Sequence, residues 1–416
     1  MAQRIRKTTQ GIKYKIILTI ILLVISRFGT FVPVPGVDHD AFYQSTSNNP
    51  ILNVLNIFSG GGFASIGIFA LGIVPYLNAS IILQLAITSL PSLEKLQKEE
   101  GEAGRQTITQ ITRYVALAWS IMQSIGISFW IRPYVFNWGT KFIIDMTLAL
   151  TTGSMLTMWL SEQITEKGFG NGPSILIYVN ILSGLPRLIQ QGSARSESTR
   201  ELIILSLIFL IMIIGIVFVQ EGIRRIPILS ARQLGKGHME NNTSYLPLRL
   251  NQGGVMPIIF ASAFLILPTY LSQLIPNPFL LKFVNFLSPA GGNTLMYLSS
   301  YFFLILVFSY FYTSLVINPA DISKSLRKME SSVLGIKPGK ATADYLQKTL
   351  NRLTFLGAIF LALIAVIPSI IENFTHISTF KGLGATSLLI LVGVAIDTSK
   401  QLQTYLISKN YENIMK

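Results

Sequence analysis

Ten long runs of apolar residues constrain the fold of this chain more than any other feature of its sequence. A helix rises about 1.5 Å per residue and the hydrocarbon core of a bilayer is about 30 Å thick, so a span needs roughly 20 apolar residues. Half of the 416 residues are hydrophobic and only 12% are charged, which excludes a soluble protein with a polar shell. The sequence therefore predicts an all-α polytopic membrane protein, with spans at residues 15–32, 69–90, 114–131, 142–160, 175–189, 202–219, 255–275, 295–317, 353–371 and 386–401.

The basic residues are distributed unevenly between the two sides of such a bundle. With ten spans, alternate connections lie on the same side as both termini, and that side carries 25 of the 33 lysines and arginines. Positive charge collects on the cytosolic side of membrane proteins, so both termini are expected in the cytosol or in the equivalent stroma of a plastid. The chain has no cysteine, which excludes disulfides and thiolate metal sites. We expect no metal and no cofactor.

One apolar stretch, NIFSGGGFASIGIFALGIVPYLNASIILQL at residues 56–85, is interrupted by three consecutive glycines and by Pro75. Lipid offers no hydrogen-bond partners, so irregular backbone at membrane depth persists only inside protein or beside a water-filled cavity. Glycine and proline are also frequent in ordinary membrane helices. The residues alone therefore leave two interpretations open, a kinked span or a segment that lines a pore.

Two connections, at residues 221–252 and 318–352, are much longer than most of the others and are rich in lysine and arginine. Long loops in a compact architecture are usually functional or disordered. Basic loops of this kind bind anionic lipid head groups or a large acidic partner such as ribosomal RNA. Basicity alone does not choose between these partners, and nothing in the loops indicates sequence-specific nucleic-acid binding.

Five segments carry a resemblance to a known family: GIVPYLNASIILQL (72–85), GFGNGPSILI (168–177), LPLRLNQGGVMPIIFAS (246–262), GIKPGKATADYLQKTLNRLTFLGAIFLALIAVIP (335–368) and ATSLLILVGVAIDTSKQLQ (385–403). They resemble the signature segments of the SecY family, the central subunits of the bacterial and plastid protein-translocation channel. They occur in the family's order and cover nearly the whole chain. The resemblance implies a protein-conducting channel that passes unfolded preproteins across the membrane and releases transmembrane segments sideways into it.

The resemblance also implies an architecture. Two pseudo-symmetric five-helix halves, residues 1–197 and 198–416, would surround a central pore like a clamshell, with a re-entrant plug helix near residues 56–68 in the outer vestibule. The plug would include Phe58, Ser59, Gly60, Gly61, Gly62 and Phe63. A ring of aliphatic side chains would seal the pore, and it maps by motif onto Ile73, Leu77, Ile177, Ile181, Ile259 and Ile390.

A lateral gate and two docking loops complete what the family implies. The gate is a seam between spans two and three and spans seven and eight, where Asn78, Ser80, Gln84 and Ser262 could form weak hydrogen bonds. Expected partners are SecE and other small Sec membrane subunits, membrane lipids, the preprotein substrates, and the SecA ATPase or a ribosome at the long loops. Docking would involve Arg224, Arg225 and Lys337, although the family usually has arginine where Lys337 stands, and lysine lacks its bidentate fork.

Two other classes of protein remain as alternatives. A secondary transporter also has two related halves and broken helices, but it should carry ionisable groups near the midplane. Here the candidates, Arg27, Asp145, Glu162, Glu221 and Asp397, fall near span ends, where snorkelling or capping is the simpler interpretation. An enzyme is not expected, because there is no phosphate-binding GxxxxGK[ST] loop and none of the three histidines lies in a span. The abundance of Ile, Asn and Lys favours a plastid thylakoid protein over a bacterial inner-membrane protein.

Overall fold

In the part of the chain that the structure describes, ten long helices correspond to the ten predicted spans, which confirms the predicted fold class. The computed structural model describes residues 2–46, 56, 59–99, 101–195, 199–230, 245–274, 284, 294–375 and 385–414. The helices, numbered in chain order, are α1 (Ala2–Thr30), α2 (His39–Thr46), α3 (Val74–Ser89), α4 (Pro91–Glu99), α5 (Gly101–Ile131), α6 (Thr140–Lys167), α7 (Gly172–Arg195), α8 (Thr199–Glu221), α9 (Met256–Leu274), α10 (Thr294–Val316), α11 (Pro319–Lys328), α12 (Lys340–Thr375) and α13 (Ala385–Ile414). All except the short α2, α4 and α11 correspond to predicted spans.

Length and composition support membrane spanning within the described part of the chain. Four segments are long and apolar enough to cross a bilayer: Gly101–Tyr134, Thr140–Lys167, Leu295–Lys328 and Lys340–Pro368. Three shorter apolar segments, Val74–Ile87, Gly172–Gly184 and Leu207–Glu221, lie in α3, α7 and α8. Several helices also extend beyond the predicted spans: α5 begins at Gly101 and α12 at Lys340, and α13 continues to Ile414. These extensions are polar, so hydropathy could not assign them to the spans.

The second span begins later than its hydropathy predicts. Residues 59–73 form a series of turns, and helix α3 starts only at Val74. Gly60, Gly61 and Gly72 adopt positive φ angles of 66°, 94° and 53°, a region that side chains with a Cβ rarely occupy. The helical plug expected here is therefore not observed over 59–68; Asn56 is helical, whereas Phe58 lies outside the described residues.

Pro75 has a different role from the predicted one. It was expected to interrupt an apolar span. Instead it lies in the first turn of α3, where its missing N–H has no intrahelical acceptor to lose and its fixed φ suits a helix start. Pro75 thus marks the boundary between the turn segment and the helix.

A small antiparallel sheet joins the two long basic loops, a feature absent from the predictions. Strands β1 (Ile223–Ser230), β2 (Tyr245–Arg249) and β3 (Ser331–Val333) are arranged in the order β2-β1-β3. Ile226 pairs with Leu246 across one edge of β1, and Ile228 pairs with Val333 across the other. Alternate side chains of the sheet pack with leucines of α11 and α12 in a separate buried cluster, which includes Ile226, Leu248, Leu326, Leu346 and Leu350.

The principal core lies between the long helices and draws on both halves of the chain. Helix α13 packs against α7, α8 and α12, while α9 packs against α3, α5 and α10. Helix α1 packs against α6 and α7. These contacts place the beginnings of α3, α9 and α13 and the first half of α7 around one buried centre. The boundary between the halves near residue 197 and their pseudo-symmetry stay predictions.

Candidate functional site

The centre of the helix bundle brings together the six aliphatic residues that were assigned to the pore ring. All six belong to one buried cluster, and none is more than 5% exposed: Ile73, Leu77, Ile177, Ile181, Ile259 and Ile390. They come from four places in the chain, the start of α3, α7, α9 and α13. Two pairs are four residues apart and so share a helical face. Their convergence was not predictable from hydropathy, because isoleucine and leucine are common throughout the spans.

The glycine-rich turn segment, residues 59–73, leads into this cluster and contributes Ile73 to it. Gly60 sits so close to α1 and α7 that a methyl group on it would lie 2.6 Å from Nη1 of Arg27 and 2.7 Å from Oδ1 of Asn180. Asn180 is buried and immediately precedes Ile181 of the cluster. Arg27 Nη1 donates a hydrogen bond to the Gly60 carbonyl oxygen. The turn segment is thus in contact with the ring through α7 and with the first span through α1.

Local hydrogen bonds hold the turn segment in shape. The Ser59 hydroxyl oxygen accepts from the Phe63 backbone N–H at 2.9 Å, and Asn56 Oδ1 accepts from the N–H of Ala64 at 3.0 Å. The Ser65 hydroxyl donates to the Thr30 carbonyl oxygen at 3.2 Å, which links the segment to α1. These bonds satisfy backbone groups that would otherwise be unpaired at membrane depth.

An aromatic box, Phe42, Phe63, Trp130 and Tyr134, fixes the other side of the turn segment. The Phe63 ring stacks on Trp130 at a centroid distance of 5.9 Å, and the Phe42 ring meets Trp130 edge-on at 5.3 Å. The Tyr134 ring also packs edge-to-face with Phe42, at a centroid distance of 5.5 Å. Phe63 is only 4% exposed. The segment is therefore clamped between α2 and the end of α5.

The predicted gate residues lie where α9 meets α3, but Ser262 does not bond across the seam as a donor. Its hydroxyl is within 2.9 Å of the carbonyl oxygens of Ile258 and Ile259 in its own helix. Asn78 and Ser262 are buried, at 8% and 9% exposed, whereas Ser80 and Gln84 are partly buried. Helix α9 also packs against α5. The seam thus exists as a helix interface, and the gating role of these four residues stays a prediction.

The predicted docking residues lie on the sheet and its following turn. Arg224 and Arg225 are exposed on β1, and the Arg225 guanidinium lies 5.0 Å from the centroid of the Tyr245 ring on β2. Lys337 is exposed in the turn between β3 and α12. The Thr342 hydroxyl donates to the Lys337 carbonyl at 2.9 Å, which stiffens that turn. The structure therefore joins two basic loops that are far apart in sequence through one sheet.

Several charged residues have partners that the sequence did not indicate. Glu162 was expected to snorkel or cap, but both of its oxygens accept from Arg113, at 2.9 and 2.8 Å. Glu221 pairs with Lys400 at 2.9 Å, and Asp397 lies 3.5 Å from Arg249. Arg27 contacts the turn segment and also stacks on Phe31 at 4.7 Å. The one sequence signal for the role of Arg27 was its position as a charged residue inside an apolar run.

The chain resembles known proteins over nearly its whole length. A family model described as SecY matches residues 67–399. The protein translocase subunit SecY of Guillardia theta is 66% identical over 410 residues, which cover 98% of each chain. The corresponding protein of Porphyra purpurea is 59% identical and covers 97% of this chain and 98% of its own. That of Synechococcus elongatus is 53% identical and covers 98% and 95%.

Solved structures support the same assignment at the level of the fold. A structure described as that of a protein conducting channel matches with a TM-score of 0.65 at 17% identity, covering 95% of this chain and 92% of that chain. The channel in a canine ribosome–channel complex from the endoplasmic reticulum matches with a TM-score of 0.62 at 18% identity, with the same coverage. The fold is thus that of a helical membrane protein, the same as in these solved channels, with a buried aliphatic cluster at its centre. The chain belongs to the SecY family of protein translocase subunits.

Proposed function

We propose that this chain is the protein-conducting channel subunit of a Sec translocase, through which unfolded preproteins cross the membrane. The observation that carries the proposal is the convergence of six aliphatic side chains from α3, α7, α9 and α13 into one buried cluster. An aliphatic constriction excludes water and ions because wetting it is unfavourable, yet it offers no fixed polar contacts to a passing chain. Such a ring suits substrates of any sequence.

The turn segment acts as the plug of the closed channel. It lies against the ring through Asn180 and is held by Arg27 and the aromatic box. Its backbone is built from turns, so it can be displaced without unwinding a span. A substrate that enters the pore replaces these contacts, and the segment returns when the substrate has left.

The seam between α3 and α5 on one side and α9 and α10 on the other is the lateral gate. Hydrogen bonds between membrane helices are worth only about 0.6–2 kcal/mol. Weak bonds suit a gate, since a signal helix of modest hydrophobicity can replace the contacts of Asn78, Ser80, Gln84 and Ser262. Transmembrane segments leave by this route into lipid.

The basic sheet surface docks the partner that drives transport. Arg224, Arg225 and Lys337 present positive charge to an acidic partner, the SecA ATPase or a ribosome, while SecE and other small Sec subunits brace the helix bundle and lipids surround it. The chain itself supplies the pore and no chemistry, so the energy comes from this partner. Both termini lie on the same side as the sheet, in the stroma, and algal and cyanobacterial relatives favour a plastid thylakoid membrane.

A secondary transporter is not favoured by the position of the charged groups. Arg27 binds the turn segment, and Glu162, Glu221 and Asp397 are paired with basic side chains near helix ends. In the described part of the chain these groups do not converge on a midplane binding site of the kind that transporters use.

Variants of the ring and of the sheet test the proposal because they should have different defects. Ring variants should leak ions, whereas sheet variants should lose partner-driven transport. Ile390→Asn or Ile259→Asn places an amide in the constriction and lowers the cost of wetting it. These variants should conduct ions at rest in planar bilayers, whereas Ile390→Leu should remain sealed. The triple change Arg224→Glu, Arg225→Glu and Lys337→Glu should leave resting conductance unchanged and reduce partner-driven transport into proteoliposomes. Equal leak from both sets, or transport loss from neither, would contradict the proposal.

A further inference from the structure

A polar groove opens between α10 and α12, at the end of the molecule that carries the sheet. Its volume is about 510 Å³, and none of the eleven described residues that line it is charged. Seven of the eleven side chains carry a hydroxyl or an amide, among them Tyr310, Ser314, Gln347, Asn351 and Thr354. The groove is therefore rich in uncharged hydrogen-bonding groups.

The groove lies at the depth where lipid head groups are found. Helix α10 leaves its apolar stretch near Ile317, and α12 enters its own near Leu353. Both positions belong to the groove or adjoin it. Because the two helices run in opposite directions, this is the level at which both cross from hydrocarbon to water.

The surface below the groove is apolar and uncovered. On α10, Phe303 and Val307 are 65% and 44% exposed and lie on the same face as Tyr310. On α12, Phe355 and Leu356 are 49% and 57% exposed and lie about one turn from Asn351. A polar groove above an apolar strip matches the two ends of a lipid molecule.

One of the groove-lining residues, Thr354, carries a buried polar group without a partner. Thr354 is only 4% exposed, it lines the groove, and its hydroxyl has no hydrogen-bond partner among the described residues. Buried hydroxyls are normally paired. Gln347 Nε2 donates to Asn351 Oδ1 at 2.9 Å, so this amide pair still presents one oxygen and one NH2 group. Together these groups can both donate to and accept from a ligand.

We propose that the groove binds the head group of a neutral, hydroxyl-rich lipid of the glycosyl diacylglycerol class. Sugar hydroxyls match the amides and the Thr354 hydroxyl, the aromatic rings of Tyr310 and Phe311 offer apolar faces to the sugar ring, and the acyl chains lie along the exposed strip. An anionic head group has no cation in the lining to pair with. The inference does not depend on the translocation function.

Lipid binding to the delipidated, purified channel complex tests the proposal. Monogalactosyl diacylglycerol, phosphatidylglycerol and phosphatidylcholine are added separately in detergent, and adducts are counted by native mass spectrometry. The galactolipid should bind saturably and more tightly than the other two. Asn351→Leu and Thr354→Val should each raise its apparent Kd about fivefold, the effect of one lost hydrogen bond. Thr349→Val is the matched control, since Thr349 is buried on the same helix but does not line the groove.

A photoreactive residue at Ser314, which is exposed at the groove, gives a readout that does not rely on folding of the variants. In native membranes it should form an adduct with galactolipid. An adduct with a protein subunit instead would overturn the proposal and assign the groove to a partner helix. Preferential binding of phosphatidylglycerol, equal binding of all three lipids, or an unchanged Kd in both groove variants would overturn it as well.

Discussion

Arg27 shows how one charged side chain at membrane depth can serve a structural purpose. Its guanidinium donates to the carbonyl of Gly60 and stacks on the Phe31 ring. Hydrogen bonds to charged groups contribute roughly 1.5–3 kcal/mol, and here the bond joins the first span to the turn segment. In the proposed plug movement, this bond is one of the contacts that favour the closed position, together with the Ser65–Thr30 bond and the aromatic box.

Arg27→Leu is expected to raise the resting ion conductance of the channel. Loss of the charge-assisted bond should increase the population of the displaced segment about tenfold or more. Single-channel recording in planar bilayers measures this, with Arg132→Leu as the control, because the Arg132 guanidinium stacks on the Trp138 ring. Conductance that stays at background in Arg27→Leu would show that the bond does not hold the seal.

Alanine substitutions at two glycines distinguish the effect of backbone strain from the effect of steric crowding. Gly60 and Gly101 both have positive φ, 66° and 57°, so alanine costs roughly 1–2 kcal/mol at either position. A Cβ at Gly60 meets Arg27 and Asn180, whereas nothing lies within 4 Å of one at Gly101. Only Gly60→Ala should raise resting conductance. Equal behaviour of the two variants would mean that close packing at Gly60 does not matter to the seal.

At the scale of elements, the spans were predictable and the sheet was not. Lipid requires internally hydrogen-bonded backbone, so long apolar runs could only be helices. The strands are short, β1 and β2 contain Pro227 and Pro247, and β3 has three residues, all of which weaken a strand signal. The available sequence cue for strand β2 was the alternation of Leu246, Leu248 and Leu250. The turns at residues 59–73 escaped prediction because their composition is as apolar as that of a span.

Weakening the small hydrophobic cluster beneath the sheet should impair docking of the partner without opening the ion seal. Leu248 is 2% exposed on β2, and Leu248→Ala should cost about 2–5 kcal/mol of local stability. Amide hydrogen exchange should become faster in β1 and β2, and partner-driven transport should fall while resting conductance is unchanged. Ile223→Ala, at an exposed position on β1, serves as the control. A leak in Leu248→Ala would mean that sheet and ring are not independent.

At the scale of the whole molecule, α13 connects the ring to the sheet. It contributes Ile390 to the buried centre, and further along it Asp397 lies near Arg249 of β2 and Lys400 pairs with Glu221 at the end of α8. Seven residues of helix correspond to about 10 Å, so one helix spans the distance between the buried cluster and the sheet. Burial and pairing in three dimensions produce this link, and no local pattern in the sequence reports it.

Reversing a charge at this link should reduce partner-driven transport, and restoring the pair should recover it. Lys400→Glu places two carboxylates together, and an exposed pair of this kind is worth about 0.2–1 kcal/mol. Transport into proteoliposomes should fall about two- to fivefold. The double variant Lys400→Glu with Glu221→Lys should return it close to the original rate. If the double variant is as impaired as the single one, the pairing is not what matters.

The pairing of β1 with both β2 and β3 has a consequence for biogenesis. Strand β3 follows α9 and α10 in the chain, so the sheet can close only after those two helices have been synthesised and placed in the bilayer. Contacts between segments far apart in sequence form late because long loops must first be ordered. A nascent copy that lacks its final four long helices therefore carries only the β1–β2 hairpin, and the proposed docking surface is complete only in the finished chain.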